Sequence, residues 1–215
     1  MLATQVIATG ITHLTDARYF AAWEVDYLAF PLTGPDAIDW TTLNAMREWI
    51  TGPELIVEID GGFAAGGLLS NLRDNDIHRV LTPHTAPASS QKILTEGGME
   101  LFVRVPVAGY QSTDDIAELL VDQVLATAII LDFDGGGITW QDLRAGHPFG
   151  LEDLQRLLAG RSIYLEIGLD GNNPKSVASE YPIKGFAVRG SSEEKVGYKS
   201  YDDLDPLFEG LEDFG

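Results

Sequence analysis

One segment brings a carboxylate and a freely hinged backbone together: Ile129-Ile130-Leu131-Asp132-Phe133-Asp134-Gly135-Gly136-Gly137. An apolar, β-branched run that ends in an acid reads as a buried strand whose last residues emerge at the sheet edge. The glycines behind it let main chain approach a ligand closely. By the two-residue period of a strand, Asp132 and Asp134 fall on one face. Crowding and partial desolvation raise a carboxyl pKa, which suits a general acid. Two later loops carry a different chemistry. Gly168-Leu169-Asp170-Gly171-Asn172-Asn173-Pro174 and Gly190-Ser191-Ser192-Glu193 offer backbone N–H groups and a helix N-terminus, donors that hold a phosphate without a lysine. A third glycine-rich stretch, Gly61-Gly62-Phe63-Ala64-Ala65-Gly66-Gly67, lacks the Lys-Ser/Thr of a P-loop and the dinucleotide spacing, and reads as a flexible loop. Glu58, Asp60, Asp132, Asp134 and Glu166, with His84, offer oxygen and nitrogen ligands for a divalent cation, but their spacing does not demand one. His13, His78 and His147 stand singly in polar surroundings and read as surface residues, and no hydrolase elbow occurs.

The elements that position these residues alternate. Short apolar runs at 6–9, 27–32, 54–60, 78–83, 100–107, 128–134, 162–169 and 185–190 read as strands. Between them lie stretches with helical spacing. Ile116, Leu119, Leu120 and Val124 share one face, as do Leu204, Leu207, Phe208 and Leu211, and more thinly Leu43, Met46 and Ile50. Start signals agree at Thr12 or Thr15, at Ser112 or Thr113, and at Asn172/Asn173 before Pro174. The third helix, with Gly66 and Gly67 inside it, and the short fourth are the weakest. Strand then helix, repeated through the chain, implies parallel strands with helical crossovers. Eight such units without extra hairpins predict one α/β domain over residues 1–215, a single (β/α)8 TIM barrel rather than a doubly wound open sheet. In that architecture the site lies at the C-terminal strand ends. Those ends supply Thr9, Glu58, Asp60, His84, Arg104, Asp132, Asp134, Glu166 and Arg189, followed by Gly190 and Ser191.

Composition narrows the function. The 215 residues carry 14 Lys and Arg against 33 Asp and Glu, a formal charge of −19. A field this negative excludes nucleic acid and anionic membrane as partners, since both require cations to neutralise phosphates. The absence of Cys excludes disulfides, thiolate metal sites and a cysteine base. The first residues lack a basic region before an apolar stretch, and no run of about 18 apolar residues occurs, so a soluble cytoplasmic protein, monomer or homodimer, is expected.

Several segments then resemble one known family in order along the chain. Val6-Ile7-Ala8-Thr9-Gly10-Ile11-Thr12-His13-Leu14-Thr15-Asp16-Ala17 and Val25-Asp26-Tyr27-Leu28-Ala29-Phe30 are similar to the opening of phosphoribosylanthranilate isomerase. That family begins with a Lys-Ile-Cys-Gly-Ile-Thr strand, a Glu-Asp-Ala helix start and a Gly-Ala-Asp-Ala-Leu-Gly-Phe second strand. Ile130-Leu131-Asp132 with Gly135–Gly137 resembles its Leu-Leu-Asp and Gly-Gly loop. Residues 168–177 resemble its Gly-Gly-Leu-Asn-Pro-Glu-Asn-Val segment, and the 190–193 and 197–200 segments resemble its closing motifs. The resemblance implies a (β/α)8 barrel of tryptophan biosynthesis that performs a cofactor-free Amadori rearrangement of a phosphorylated ribose amine, with Cys as base and Asp as acid.

Mapped residue by residue, the resemblance makes Asp132 the acid and puts Thr9 at the base position. His84 is similar to the His that ends strand four, and Asp36 stands where the family's Arg holds the anthranilate carboxylate. His84, Asp36, Asp134 and Arg189 are thus expected to line the substrate, and Gly168, Gly171, Gly190 and Ser191 to hold its phosphate. The family's Asp on strand eight falls at Ala187. A threonine hydroxyl is no base near neutral pH, and an acid at position 36 repels the carboxylate that the family attracts. Glu58 or Asp60 is the candidate replacement base. Three readings follow: an isomerase of this type with an altered pocket; a non-catalytic or repurposed barrel binding a phosphorylated metabolite or a protein; and, more remotely, a metal-dependent lyase or epimerase.

Overall fold

A computed structural model describes residues 1–60, 65–190, 193–195 and 198–213 of the chain. Eight strands form: β1 (Gln5–Thr9), β2 (Tyr27–Pro31), β3 (Glu54–Glu58), β4 (Arg79–Pro83), β5 (Glu100–Pro106), β6 (Ala128–Asp132), β7 (Ile163–Glu166) and β8 (Gly185–Arg189). They pair in sequence order, every pair parallel, and β8 closes on β1. The fold is a single (β/α)8 barrel. Strands with a partner on both sides and both faces covered must be apolar throughout, which is why every expected strand is present.

The two faces separate cleanly by parity. Ile7, Ala29, Ile56, Leu81, Phe102, Ile130, Tyr164 and Ala187 pack together inside the barrel. Their strand neighbours, among them Val6, Ala8, Leu28, Val57, Val80, Val103, Leu131, Leu165 and Val188, point outward into the larger core beneath the helices. Inward-facing positions two residues beyond the interior layer therefore reach the mouth: Thr9, Glu58, Arg104, Asp132, Glu166 and Arg189. The barrel's own register puts Thr9 beside Arg189 and Asp132 beside Glu166 on adjacent strands.

The helices follow local signals closely, with some departures. They are α1 (Leu14–Ala22), α2 (Trp40–Arg47), α3 (Ala65–Asp74), α4 (Ala88–Glu96), α5 (Thr113–Asp122), α6 (Trp140–Arg144), α7 (Leu151–Leu158), α8 (Pro174–Glu180) and α9 (Asp205–Leu211). Ser112 caps α5 in a reciprocal box with Asp115, and Asn173 caps α8 ahead of Pro174. Neither Thr12 nor Thr15 caps α1; His13 occupies that position and makes no side-chain capping bond. The β6–β7 crossover holds two helices instead of one, each opened by its own capping contact, Thr139 with Asp142 and Gly150 with Asp153. Ile50 and Val124 lie beyond the ends of their helices. Gly52, at φ +110°, followed by Pro53 turns the chain into β3, and α5 stops at Asp122, leaving Val124 82% exposed. After β8 a short antiparallel ribbon pairs Glu193–Lys195 with Tyr198–Lys199. Among the described residues, no helix is long and apolar enough to cross a membrane.

Candidate active site

Arg104 is the centre of the mouth. It rises from the interior face of β5, and its guanidinium reaches three other strands. Nη1 donates to Asp132 Oδ2 at 3.3 Å and to Glu166 Oε2, while Nη2 donates to Thr9 Oγ1 at 2.9 Å. Arg189 closes the network from β8, with Nε 3.2 Å from Glu166 Oε1 and Nη2 3.5 Å from Asp132 Oδ2. Asp132 and Glu166 are 4% and 1% exposed. Two buried carboxylates are tolerable there because two guanidiniums face them, and removal of either cation leaves an uncompensated charge.

This network fixes the two residues matched to the catalytic positions. Thr9 is fully buried, and its hydroxyl accepts from Arg104 and donates to the Val188 carbonyl at 3.2 Å. Asp132 accepts from Gly135 N–H at 2.7 Å through Oδ1, while Oδ2 faces both arginines. Gly135 is required at this point, because a Cβ there would stand 2.9 Å from Asp132 Oδ2. Asp134 does not share the face of Asp132. Strand β6 ends at Asp132, and Asp134 begins a 3-10 turn (Asp134–Gly136) that swings its carboxylate to the Gly168 N–H at 2.7 Å.

Beside the network lies a cavity of about 670 Å³ at the C-terminal end of the barrel. Arg104 and Arg189 form part of its wall, and the ends and loops of β2 and β3 supply Asp36, Glu58 and Asp60. Glu58 is deeply set. Its Oε1 accepts from the Gly10 N–H at 2.5 Å, and Oε2 has no partner among the described residues. Burial pushes the Glu58 carboxyl above the usual range, against the pull of Arg104, the Gly10 N–H and Arg189, and with a further push from Glu166. Burial likewise raises Glu166, offset by Arg104 and reinforced by neighbouring Asp132. Asp60 is tied to the β2 loop by its backbone, whose N–H donates to Thr33 Oγ1 at 2.6 Å. Gly34 leaves room for the Asp60 carboxylate: a Cβ there would sit 3.0 Å from Oδ2.

The other expected residues are dispersed. His84 follows β4, donates its backbone N–H to the Arg104 carbonyl at 2.9 Å, and keeps a buried Nδ1 without a partner among the described residues. It does not line the cavity. The backbone N–H of Gly168 is engaged by Asp134, and that of Gly190 by the Thr9 carbonyl at 2.8 Å. Gly171 turns the β7–α8 loop at φ +77°, and Ser191 lies outside the described residues. Among the described residues, no three His, Asp or Glu side chains converge in a metal-holding geometry. Arg104 and Glu166, central here, were visible in the sequence only as strand ends. A stronger signal was available: each is a charged residue at an inward position of an otherwise apolar strand, Leu101-Phe102-Val103-Arg104-Val105 and Tyr164-Leu165-Glu166.

The fold has close counterparts of known structure. Phosphoribosylanthranilate isomerase from Thermus thermophilus superposes with a TM-score of 0.68 at 19% identity, covering 96% of this chain and 98% of that one. The enzyme from Thermotoga maritima gives 0.69 at 17% identity, over 97% and 98%. A phosphoribosylanthranilate isomerase in complex with reduced 1-(o-carboxyphenylamino)-1-deoxyribulose 5-phosphate gives 0.68 at 17% identity, over 97% and 98%. The chain thus has the fold of these isomerases along almost its whole length. No family model and no curated protein sequence matches it.

Proposed function

We propose that the mouth of this barrel is a proton-transfer site for a phosphorylated sugar amine, a reaction of the phosphoribosylanthranilate isomerase type, with Glu58 as its acid–base group. One observation carries the reading: Glu58 lines the cavity with a free carboxylate oxygen and a pKa raised by burial. A carboxyl whose affinity for protons is raised above the ordinary carboxylate range suits general acid–base catalysis. In the ring-opened, N-protonated imine, Glu58 takes the proton from C2, the C–H electron pair forms the C1–C2 double bond, and the C1–N π pair moves onto nitrogen to give a neutral enaminol. Delivery of a proton to C1, with loss of the C2 hydroxyl proton, leaves the aminoketone. Thr9 and Asp132 then act through Arg104, holding its guanidinium at the cavity wall. Kinship in fold with a structure solved around a phosphorylated aminodeoxyribulose supports the substrate class.

The assay is turnover of phosphoribosylanthranilate together with C2 proton exchange into D2O on ribose 5-phosphate. Glu58→Gln is expected to lower both by about 10²- to 10⁴-fold. Turnover untouched by Glu58→Gln removes the assignment. A second reading, a barrel that binds without catalysing, draws on the full engagement of Thr9 and Asp132; ligand binding with neither turnover nor exchange selects it.

A further inference from the structure

The charges around the cavity are unequally satisfied, and that inequality describes a ligand. Arg104 and Arg189 are already matched by Asp132 and Glu166, so this half of the mouth is close to neutral. The same cavity is lined by Asp36, Glu58 and Asp60, and none of them makes an ion pair among the described residues. Glu58 is independently marked as unfinished, a deeply set carboxylate in the cavity wall with one oxygen held by Gly10 and the other without a partner among the described residues. Among the described arginines that line the cavity, Arg189 keeps spare cationic capacity: its side chain is 60% exposed and its Nη1 has no partner among the described residues. A dianionic ligand with no positive charge would meet three unpaired acids and a single spare donor.

We infer that the ligand is zwitterionic: it turns a protonated nitrogen toward Asp36, Glu58 and Asp60 and its anionic group toward Arg189. This rests on the proton-transfer reading for the location of the site, and it sharpens the substrate from any phosphorylated sugar to one with a basic amine. The ammonium replaces the charge that the wall lacks. A carboxylate on the same side of the ligand would be repelled by Asp36, so an acidic aryl amine is held more weakly than a basic amine of the same size.

The test measures binding of three probes to the full chain by calorimetry: glucosamine 6-phosphate, N-acetylglucosamine 6-phosphate and glucose 6-phosphate. They share the phosphate and differ in whether the nitrogen is charged, neutral or absent. Glucosamine 6-phosphate is expected to bind at least about tenfold more tightly than the other two. Asp36→Asn with Asp60→Asn, at two exposed loop positions whose exchange leaves the core intact, should abolish that preference. Equal affinity for the three, preference for either uncharged probe, or no binding of any overturns the inference. Failure of the two proposals is distinguishable. Amine preference without turnover or proton exchange leaves this one standing and removes the catalytic reading; Glu58-dependent turnover without amine preference does the reverse.

Discussion

Replacing Arg104 with methionine tests whether the charged layer at the mouth is organised as described. Methionine keeps most of the apolar stem and removes the guanidinium. Glu166 then loses its contact to Nη1, Asp132 loses one of two cations, and the Thr9 hydroxyl loses a donor at 2.9 Å. Breaking a buried pair from one side costs about 3–5 kcal/mol when nothing else compensates. Here Arg189 remains 3.2 Å from Glu166 and 3.5 Å from Asp132, so the lower end of about 3 kcal/mol is expected. The pH dependence fixes the cause. Glu166 already has a carboxyl raised by burial, and Arg104 is the largest influence opposing that rise. Without Arg104 its folded pKa climbs further from an unfolded value of about 4.3. An acid raised in the folded state contributes stability below its unfolded pKa and loses it as pH rises through the folded one. The deficit of Arg104→Met relative to the parent, measured by urea unfolding, should therefore be small near pH 4 and full by pH 8. Adding Glu166→Gln to Arg104→Met should recover about 1–2 kcal/mol at pH 8. A deficit under about 1 kcal/mol, or one independent of pH, would refute the electrostatic account.

Other expectations follow from the same contacts. Glu58→Gln should raise the thermal midpoint at pH 8 and leave it unchanged near pH 4, because burial raises the Glu58 pKa and its charged form opposes folding; a lowered midpoint at pH 8 contradicts the assignment. Gly185→Ala places a Cβ 1.9 Å from the Gln5 carbonyl at the seam where β8 closes on β1, and a loss of about 3 kcal/mol or more is expected in denaturant unfolding. Tyr201→Phe removes the hydroxyl that donates to buried Asp16 at 2.7 Å, and should cost about 1–2 kcal/mol by the same measurement.

The barrel was legible because parallel strands with both faces covered leave an uninterrupted apolar signature, as at Ala128–Leu131 and Leu101–Val103. Helix starts were legible where a side chain does the capping, as at Ser112 and Asn173, and misplaced at His13, where none does. The pairing of Asp132 with Asp134 failed because strand parity holds only inside a strand, and the glycines that marked the loop also ended β6 at Asp132. The importance of Arg104 was hidden for a related reason. Its partners come from β1, β6 and β7, and nothing local to Val103-Arg104-Val105 shows which of them it will meet.

The parity of the strands also explains how such a barrel can keep its architecture and move its chemistry. Each strand offers one inward residue to the mouth, so a change of function is limited to changing which of those residues stay unpaired. At β1, β6 and β7 this chain spends Thr9, Asp132 and Glu166 on fixing two arginines. A group locked by two or three hydrogen bonds cannot accept a substrate proton without breaking them, which costs about 1–3 kcal/mol for each bond lost to a charged partner. Glu58 on β3 has no such obligation beyond Gly10, and its backbone partner stays in place whichever way the carboxyl is protonated. If the mouth transfers protons as proposed, the β3 side is where that transfer meets least resistance, and the loops after β2 and β3 are where substrate recognition is to be sought.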